Sequence, residues 1–128
     1  MSSETAPLPL ILVVEDNPAN QMLADAVLQG FGYRVSLAST ATEALASIEL
    51  ERPGLILMDI SLPGQDGLSL TRQLKEDPAT ESIPVVAVTA HAMPSDRLLS
   101  LDAGCVGYIA KPFDTQMLGK QVAEFLQM

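Results

Sequence analysis

Five short hydrophobic segments, each followed by a helical pattern, constrain the fold of this 128-residue chain more than any other feature. Residues 10–14, 55–58, 85–88 and 106–110 are largely continuous apolar runs, which is typical of strands buried on both faces. Residues 33–38 instead alternate between apolar and polar or small side chains, which predicts a half-exposed strand at the edge of a sheet.

Capping residues mark where the intervening helices begin and end. Asn17 followed by Pro18 predicts an N-cap, and Thr40 with Glu43 three residues later predicts a capping box. Gly104 stops a helix that begins at Pro94. The predicted inward-facing positions are Leu23, Val27 and Phe31 in the first helix, Ala41, Ala44, Leu45 and Ile48 in the second, Leu70 and Leu74 in the third, and Leu118, Val122, Phe125 and Leu126 in the last.

Strict alternation of five strands with five helices predicts an α/β domain with a doubly wound, five-stranded parallel sheet. By analogy with flavodoxin-like (βα)5 folds, we expect the strand order 2-1-3-4-5. Residues 10–128 are predicted to form this one domain, after a flexible N-terminal tail at residues 1–9 that is rich in Ser and Pro. Because the chain ends inside a helix, we expect either a protein that works alone or a part of a longer one.

Charge and cysteine content limit the classes of partner. The 16 acidic and 7 basic residues give a formal charge of −9, with no basic cluster, so we expect no direct contact with nucleic acid or membrane. The sequence shows no signal peptide and no apolar run of the roughly 20 residues that a membrane span needs. The single Cys105 cannot form an internal disulfide, and we therefore expect a cytoplasmic protein.

Polar residues follow four of the predicted strands. Glu15 and Asp16 follow the first strand, Asp59 the third, Thr89 the fourth and Lys111 the fifth. In open parallel sheets ligands bind beyond the carboxyl ends of the strands, so these side chains are predicted to share one pocket. Two carboxylates about 4 Å apart repel by roughly 4 kcal/mol at an effective dielectric constant near 20. A protonated carboxyl would relieve this repulsion, but the all-oxygen ligand set favours Mg2+.

The basic and hydroxyl groups add an anion site beside this metal site. Lys111 supplies a positive charge and Thr89 a hydroxyl donor. A carboxylate nucleophile beside a metal, an ammonium and a hydroxyl suits phosphoryl transfer, in which charge on three phosphoryl oxygens must be neutralised. Asp59 is the predicted phosphoryl acceptor.

Four motifs carry a family resemblance. They are VVEDN at residues 13–17, LMDISLPG at 57–64, VTA at 88–90 and KPF at 111–113. Through them residues 10–128 resemble the receiver domains of two-component systems, both the single-domain regulators of the cell-cycle type and the receivers of hybrid histidine kinases. The resemblance implies a Mg2+ site in which Asp16 and Asp59 bind directly, Glu15 binds through a water molecule and Ser61 contributes its backbone carbonyl.

The resemblance also implies roles for residues around the phosphoryl group. Thr89, Ala90 and Lys111 would bind it, and Lys111 would precede a cis bond to Pro112. Thr89 and Tyr108 would form a switch pair that reshapes the face made by the fourth helix, the fifth strand and the last helix. Two further positions match less specifically: Gly67 as the glycine that lets the third loop turn, and His91 either as a residue that tunes phosphoryl loss or as a surface side chain.

The implied function is that of a phosphoacceptor domain in a phosphorelay. A histidine kinase or a histidine phosphotransfer protein would phosphorylate Asp59, and a downstream protein would bind the reshaped face, with no turnover of an external substrate. Two alternatives remain. A phosphorylation-independent interaction module usually lacks the acceptor, an acid or the lysine, all of which are present here. A phosphatase with an aspartate nucleophile would carry Asp-x-Asp after its first strand, where this chain has Glu15, Asp16 and Asn17. A flavin site is disfavoured because the acids would repel the cofactor phosphate.

Overall fold

The computed structural model describes residues 9–61, 66–90 and 94–127. In this part of the chain strands and helices alternate strictly, as predicted. The elements are β1 (Leu10–Val14), α1 (Pro18–Gly30), β2 (Arg34–Ala38), α2 (Ala41–Leu50), β3 (Leu55–Asp59), α3 (Gly67–Glu76), β4 (Val85–Thr89), α4 (Pro94–Ala103), β5 (Gly107–Ala110) and α5 (Leu118–Leu126).

All strand pairs are parallel, and the sheet order is β2-β1-β3-β4-β5. The predicted fold class and strand order are therefore confirmed. β1 lies between β2 and β3, and its last residue Val14 is level with Ala38 of β2 and Met58 of β3. Because parallel strands in this register end together, the residues that follow them meet at one rim of the sheet.

Two hydrophobic cores cover the two faces of the sheet. Successive side chains of a strand point to opposite faces, so Leu12 and Val14 lie in one core and Ile11 and Val13 in the other. Helices α2 and α3 supply the first core, and α1 and α5 supply the second. This arrangement explains why β1 is apolar throughout and why β3 and β4 are apolar up to their last residues, Asp59 and Thr89, since every residue in the three strands is buried.

The residues of α1 that face the core are shifted by one position from those predicted. Ala24 and Leu28 are fully buried, whereas Leu23 and Val27 are only partly buried and pack beside them. Phe31 lies beyond the end of the helix, is 47% exposed and stacks on Tyr33 with ring centroids 5.7 Å apart. The small side chain of Ala24 allows α1 to approach the sheet closely. A prediction based only on the large apolar residues of the helix misses this position.

The edge position predicted for β2 is confirmed, but its alternation is imperfect. Leu37 is 41% exposed, and Ala38 is buried beside Ala41 and Ala44 of α2. An edge strand has one neighbour and is covered on fewer sides, so even an apolar residue in it can remain exposed. No helix in the described ranges combines the length and the apolar character that crossing a bilayer requires.

The predicted helix caps are present, with one change of partner. Asn17 Oδ1 accepts a hydrogen bond from the backbone N–H of Asn20 at 3.1 Å. Thr40 Oγ1 accepts one from the N–H of Glu43 at 3.1 Å, as in a capping box. The carboxylate of Glu43, however, accepts from the N–H of Ser39 at 2.7 Å rather than from that of Thr40. The start of α2 is thereby tied to the residue that follows β2.

Candidate functional site

Three acids converge at the rim where the strands end. Glu15 and Asp16 follow β1, and Asp59 is the last residue of the neighbouring β3. Each offers a carboxylate oxygen, and these oxygens all lie within 4.8 Å of one another. Glu15 and Asp59 are 2% and 3% exposed, while Asp16 is open to solvent. Oxygen ligands at this spacing, open to solvent on one side, suit Mg2+ with several of its waters retained.

Lys111 places its ammonium group between two of these acids. Its Nζ lies 2.6 Å from Glu15 Oε1 and donates a hydrogen bond to Asp59 Oδ2 at 3.2 Å. Burial alone would lower the pKa of Lys111, but the adjacent carboxylates outweigh that effect and the pKa is raised. Burial raises the pKa of Glu15, and the bonds from Lys111 and Asn17 oppose the rise only in part. The lysine is therefore firmly protonated at neutral pH.

Backbone donors orient both buried carboxylates. The N–H of Asn17 donates to Glu15 Oε2 at 3.1 Å, and the N–H of Ser61 donates to Asp59 Oδ1 at 2.9 Å. In each case the donor lies two residues after the acid, at the turn that leaves the strand. Each carboxylate thus has one oxygen held by backbone and one that faces Lys111, which fixes the plane of the group.

Gly67 allows α3 to begin directly against the end of β3. A Cβ atom at this position would press on the carbonyl oxygen of Asp59 and lie 2.8 Å from Cα of Ile60. Both are backbone atoms, which cannot move aside as a flexible side chain can. Asp66 caps the helix by accepting a hydrogen bond from the N–H of Ser69 at 2.8 Å. The start of α3 is therefore packed directly against the backbone of Asp59 and Ile60.

The remaining predicted site residues lie at or just beyond the ends of β3, β4 and β5, on the same rim of the sheet. Thr89 is buried at the end of β4, and the next residue, Ala90, is exposed. The N–H of Lys111 donates to the Thr89 carbonyl at 2.8 Å, and the bond between Lys111 and Pro112 is cis. Ser61 is exposed beside the acids. His91 and residues 62–64 of the third-loop motif lie outside the described residues.

Tyr108 lies on β5, half-buried beside the core that α2 and α3 supply. The guanidinium carbon of Arg97 in α4 lies 5.3 Å from the centre of its ring. This distance is within the range of a cation–π interaction. The side chain predicted to act as a switch is therefore in contact with the helix of the face that it is predicted to reshape.

Sequence reasoning missed three residues that contact the predicted site residues or one another beside them. Gln21 donates to the backbone carbonyl of Glu15, Ser39 accepts a hydrogen bond from Gln21, and Arg97 covers Tyr108. None belongs to a motif, and each contacts its partner only because neighbouring elements pack together. The sequence offered one signal for these contacts, which is that Gln21 is a polar residue one turn into α1, close to the acids that follow β1.

Comparison with known proteins agrees with this geometry. Residues 11–123 match the family described as the response regulator receiver domain. The chain is 38% identical over 116 residues to the polar-differentiation response regulator DivK of Brucella anthropi, covering 91% of this chain and 94% of DivK. It is 42% identical over 112 residues, 88% of this chain, to the response regulator PleD of Caulobacter vibrioides, but spans only 25% of that protein.

A solved structure resembles the whole fold. The receiver domain of the sensor histidine kinase PA1611 from Pseudomonas aeruginosa, with a magnesium ion coordinated in its active-site cleft, is 39% identical with a TM-score of 0.85. The match covers 94% of this chain and 99% of that domain. Receiver domains are signalling domains that bind Mg2+ in an acidic site and interact with histidine kinases and downstream targets. This chain belongs to the response regulator receiver domain family of two-component systems.

Proposed function

We propose that Asp59 accepts a phosphoryl group from a histidine kinase or a histidine phosphotransfer protein, in a reaction that requires Mg2+. The observation that carries this proposal is the convergence of Glu15, Asp16 and Asp59 within 4.8 Å, with Lys111 between two of them. Such a group of charges is costly unless a ligand completes it. A divalent cation and an anionic phosphoryl group together would balance the three acids and the lysine.

The proposed metal ligands are the carboxylates of Asp16 and Asp59 and the backbone carbonyl of Ser61, with Glu15 acting through a water molecule. When bound, Mg2+ offsets the repulsion among the acids and neutralises charge that develops on the phosphoryl oxygens. Asp16 fits a direct role because it is exposed and needs little desolvation. Glu15 fits the indirect role because one of its oxygens is held by the N–H of Asn17 and the other is paired with Lys111.

In the proposed transfer, a carboxylate oxygen of Asp59 attacks the phosphorus atom. The new P–O bond forms as the P–N bond to the donor histidine breaks, and the imidazole nitrogen leaves with the electron pair of that bond. Lys111 then donates a hydrogen bond to a phosphoryl oxygen, and the Thr89 hydroxyl donates to another. The small side chain of Ala90 leaves room for the donor. The product is a phosphorylated protein, so no external substrate is turned over.

The proposed output is a change in the face formed by α4, β5 and α5. Thr89 turning toward the phosphoryl group and Tyr108 moving inward would change the surface that a downstream protein binds. Leu98, Leu99 and Leu101 leave α4 with an exposed apolar surface suited to a protein partner. The charge of −9 disfavours direct contact with nucleic acid or membranes, and the free Cys105 fits a cytoplasmic, reducing compartment.

Labelling with a small acyl phosphate tests the proposal. With Mg2+, the protein should gain the mass of one phosphoryl group, and Asp59→Asn should not, while the exposed α4 acid in Asp102→Asn should leave labelling intact. Labelling of Asp59→Asn would show that the acceptor is another residue. An unlabelled native protein would point to a phosphorylation-independent interaction module, and continuous release of phosphate from a phosphomonoester would point to a phosphatase.

A further inference from the structure

The side-chain amide of Gln21 bridges the ends of two neighbouring strands. Its Nε2 donates one hydrogen bond to the backbone carbonyl of Glu15 at 2.5 Å and another to Ser39 Oγ at 3.0 Å. Gln21 lies in the first turns of α1, Glu15 follows β1 and Ser39 follows β2. Both hydrogens of the amide group are thus committed to residues at the rim where the acids lie.

The bond to the Glu15 carbonyl constrains the residue that follows it. The carbonyl of Glu15 and the N–H of Asp16 belong to one planar peptide unit. On the other side of Glu15, its own N–H donates to the Ala38 carbonyl at 2.9 Å. With both backbone groups of Glu15 engaged, the peptide plane cannot rotate freely, and the direction in which Asp16 projects from the turn is set.

This constraint matters because Asp16 is the exposed member of the acidic cluster. Glu15 is held by Lys111 and Asn17, and Asp59 by Lys111 and Ser61. The orientation of Asp16 therefore depends more on its backbone than that of either buried acid does. A side chain that holds this backbone preorganises the cluster without touching a cation.

Ser39 gives Gln21 a rigid support. The N–H of Ser39 donates to Glu43 Oε1 at 2.7 Å, and the N–H of Glu43 donates to Thr40 Oγ1 at 3.1 Å. The hydroxyl that receives the Gln21 amide is therefore fixed to the first turn of α2. A continuous series of hydrogen bonds runs from α2 through Ser39 and Gln21 to the peptide unit before Asp16.

We propose that Gln21 is a positioning residue of the metal site, which holds Asp16 in the orientation that binds a divalent cation. This inference rests on the proposed function, because it assumes that the acidic cluster binds Mg2+. Outer groups that orient metal ligands typically change metal affinity by 10- to 100-fold when they are removed. Gln21 stands in that relation to Asp16, through the backbone rather than through the carboxylate.

The test compares Gln21→Met with Gln29→Met. Both substitutions keep a long, flexible side chain in α1 and remove one amide, and Gln29 bonds only to Asp25 Oδ1, at 2.6 Å, among the contacts that the structure describes. The Mg2+ dissociation constant, measured by NMR titration of backbone amides, should rise about tenfold in Gln21→Met. In Gln29→Met it should change by less than about twofold.

A second readout needs no metal. In the metal-free protein, the amide of Asp16 should exchange its hydrogen faster and show broader signals in Gln21→Met than in Gln29→Met, because its peptide unit is released. Ser39→Ala should weaken Mg2+ binding by a smaller factor, about threefold, and should add nothing in the Gln21→Met background. A role limited to stability would lower the free energy of unfolding and leave Mg2+ affinity and the Asp16 amide unchanged.

The outcomes separate this inference from the proposed function. If the native protein binds Mg2+, Asp16→Asn loses it and Gln21→Met keeps the native affinity, the positioning role is wrong while the metal site stands. If the native protein and all variants fail to bind Mg2+, the metal site itself is wrong. If Gln21→Met does not fold, Ser39→Ala is compared with the native protein instead. Native Mg2+ affinity in Ser39→Ala would then show that the hydrogen bond from Gln21 to Ser39 does not help to position Asp16.

Discussion

Lys111 Nζ lies 2.6 Å from Oε1 of Glu15, in an ion pair that joins the residue after β5 to the residue after β1. Two other strands, β3 and β4, lie between these two in the sheet. The contact therefore spans four of the five strands along the rim, from β1 to β5. Glu15 is 2% exposed on its side chain and Lys111 is 16% exposed, so the pair is shielded from solvent but not sealed from it.

Removing the lysine should destabilise the metal-free protein. Lys111→Met leaves the buried charge of Glu15 without its counter-charge, and we expect a loss of about 1 to 3 kcal/mol in the free energy of unfolding, measured with urea. The effect should shrink in Glu15→Gln, where Lys111 contacts one buried carboxylate, that of Asp59, instead of two. A Lys111→Met penalty of equal size in both backgrounds would show that the ion pair contributes nothing.

The same ion pair predicts a dependence on pH. The pKa of Lys111 is raised in the folded protein, so its contribution to stability is fully present below the ordinary lysine pKa. The contribution is lost as the pH rises through the raised pKa of the folded state. The difference in unfolding free energy between the native protein and Lys111→Met should therefore stay constant through neutral pH and diminish only in strongly alkaline buffer. A difference that already falls near pH 7 would contradict this sign.

Alanine at two glycine positions should have opposite effects. Gly67→Ala places a Cβ against the backbone of Asp59 and Ile60, and we expect a loss of more than about 2 kcal/mol in stability together with weaker Mg2+ binding. Gly30, at the end of α1, has no atom within 4 Å of its Cβ position, so Gly30→Ala should be neutral or stabilise by up to about 1 kcal/mol. Urea unfolding of the two variants makes the comparison. A tolerated Gly67→Ala would show that α3 can move away from β3.

The thiol of Cys105 should be inert in the folded protein. Burial raises its pKa, and Thr71 and Lys75 oppose the rise only in part. Since the thiolate is the reactive form, a disulfide reagent at pH 8 should modify the native protein more than about tenfold more slowly than the urea-unfolded chain. The rate should climb as the pH rises toward the raised pKa. Equal rates in the two states would mean that the thiol is accessible.

Arg97 should influence the position of the Tyr108 ring. A cation over a half-buried ring such as that of Tyr108 contributes about 1 kcal/mol, which corresponds to a change of roughly fivefold in a rotamer ratio. Arg97→Met should therefore shift the ring resonances of Tyr108, measured by NMR with Tyr33 as the internal reference. Arg72→Met, which changes an exposed arginine of α3, is the control. Unchanged Tyr108 resonances in Arg97→Met would rule out the contact as a determinant of ring position.

Much of this architecture follows from local pattern. The apolar run of β1 predicts its bounds because both faces of that strand are buried, and the caps at Asn17 and Thr40 are present because their side chains bond within one helical turn. The strand order, in contrast, came from analogy, since no local rule distinguishes the possible neighbours of β1. The grouping of the acids then follows from parallel strands that end together.

The interactions that cross between elements could not be predicted in the same way. Gln21 reaches the Glu15 carbonyl and Ser39 only because β1 and β2 pair in one particular register. The inward line of α1 runs through Ala24 because a small residue lets the helix approach the sheet, and residue size alone does not reveal which small residue has that role. Both outcomes depend on packing over distances that a sequence pattern does not encode.

The unequal exposure of the three acids gives the proposed metal site an outer and an inner side. Glu15 and Asp59 lie beneath the surface while Asp16 stands at it, so a cation arriving from bulk water meets Asp16 first and then the deeper pair. In the part of the chain that the structure describes, Asp16 is already exposed to that approach. Loading of the proposed Mg2+ site should therefore be limited by how readily the hydrated ion gives up water.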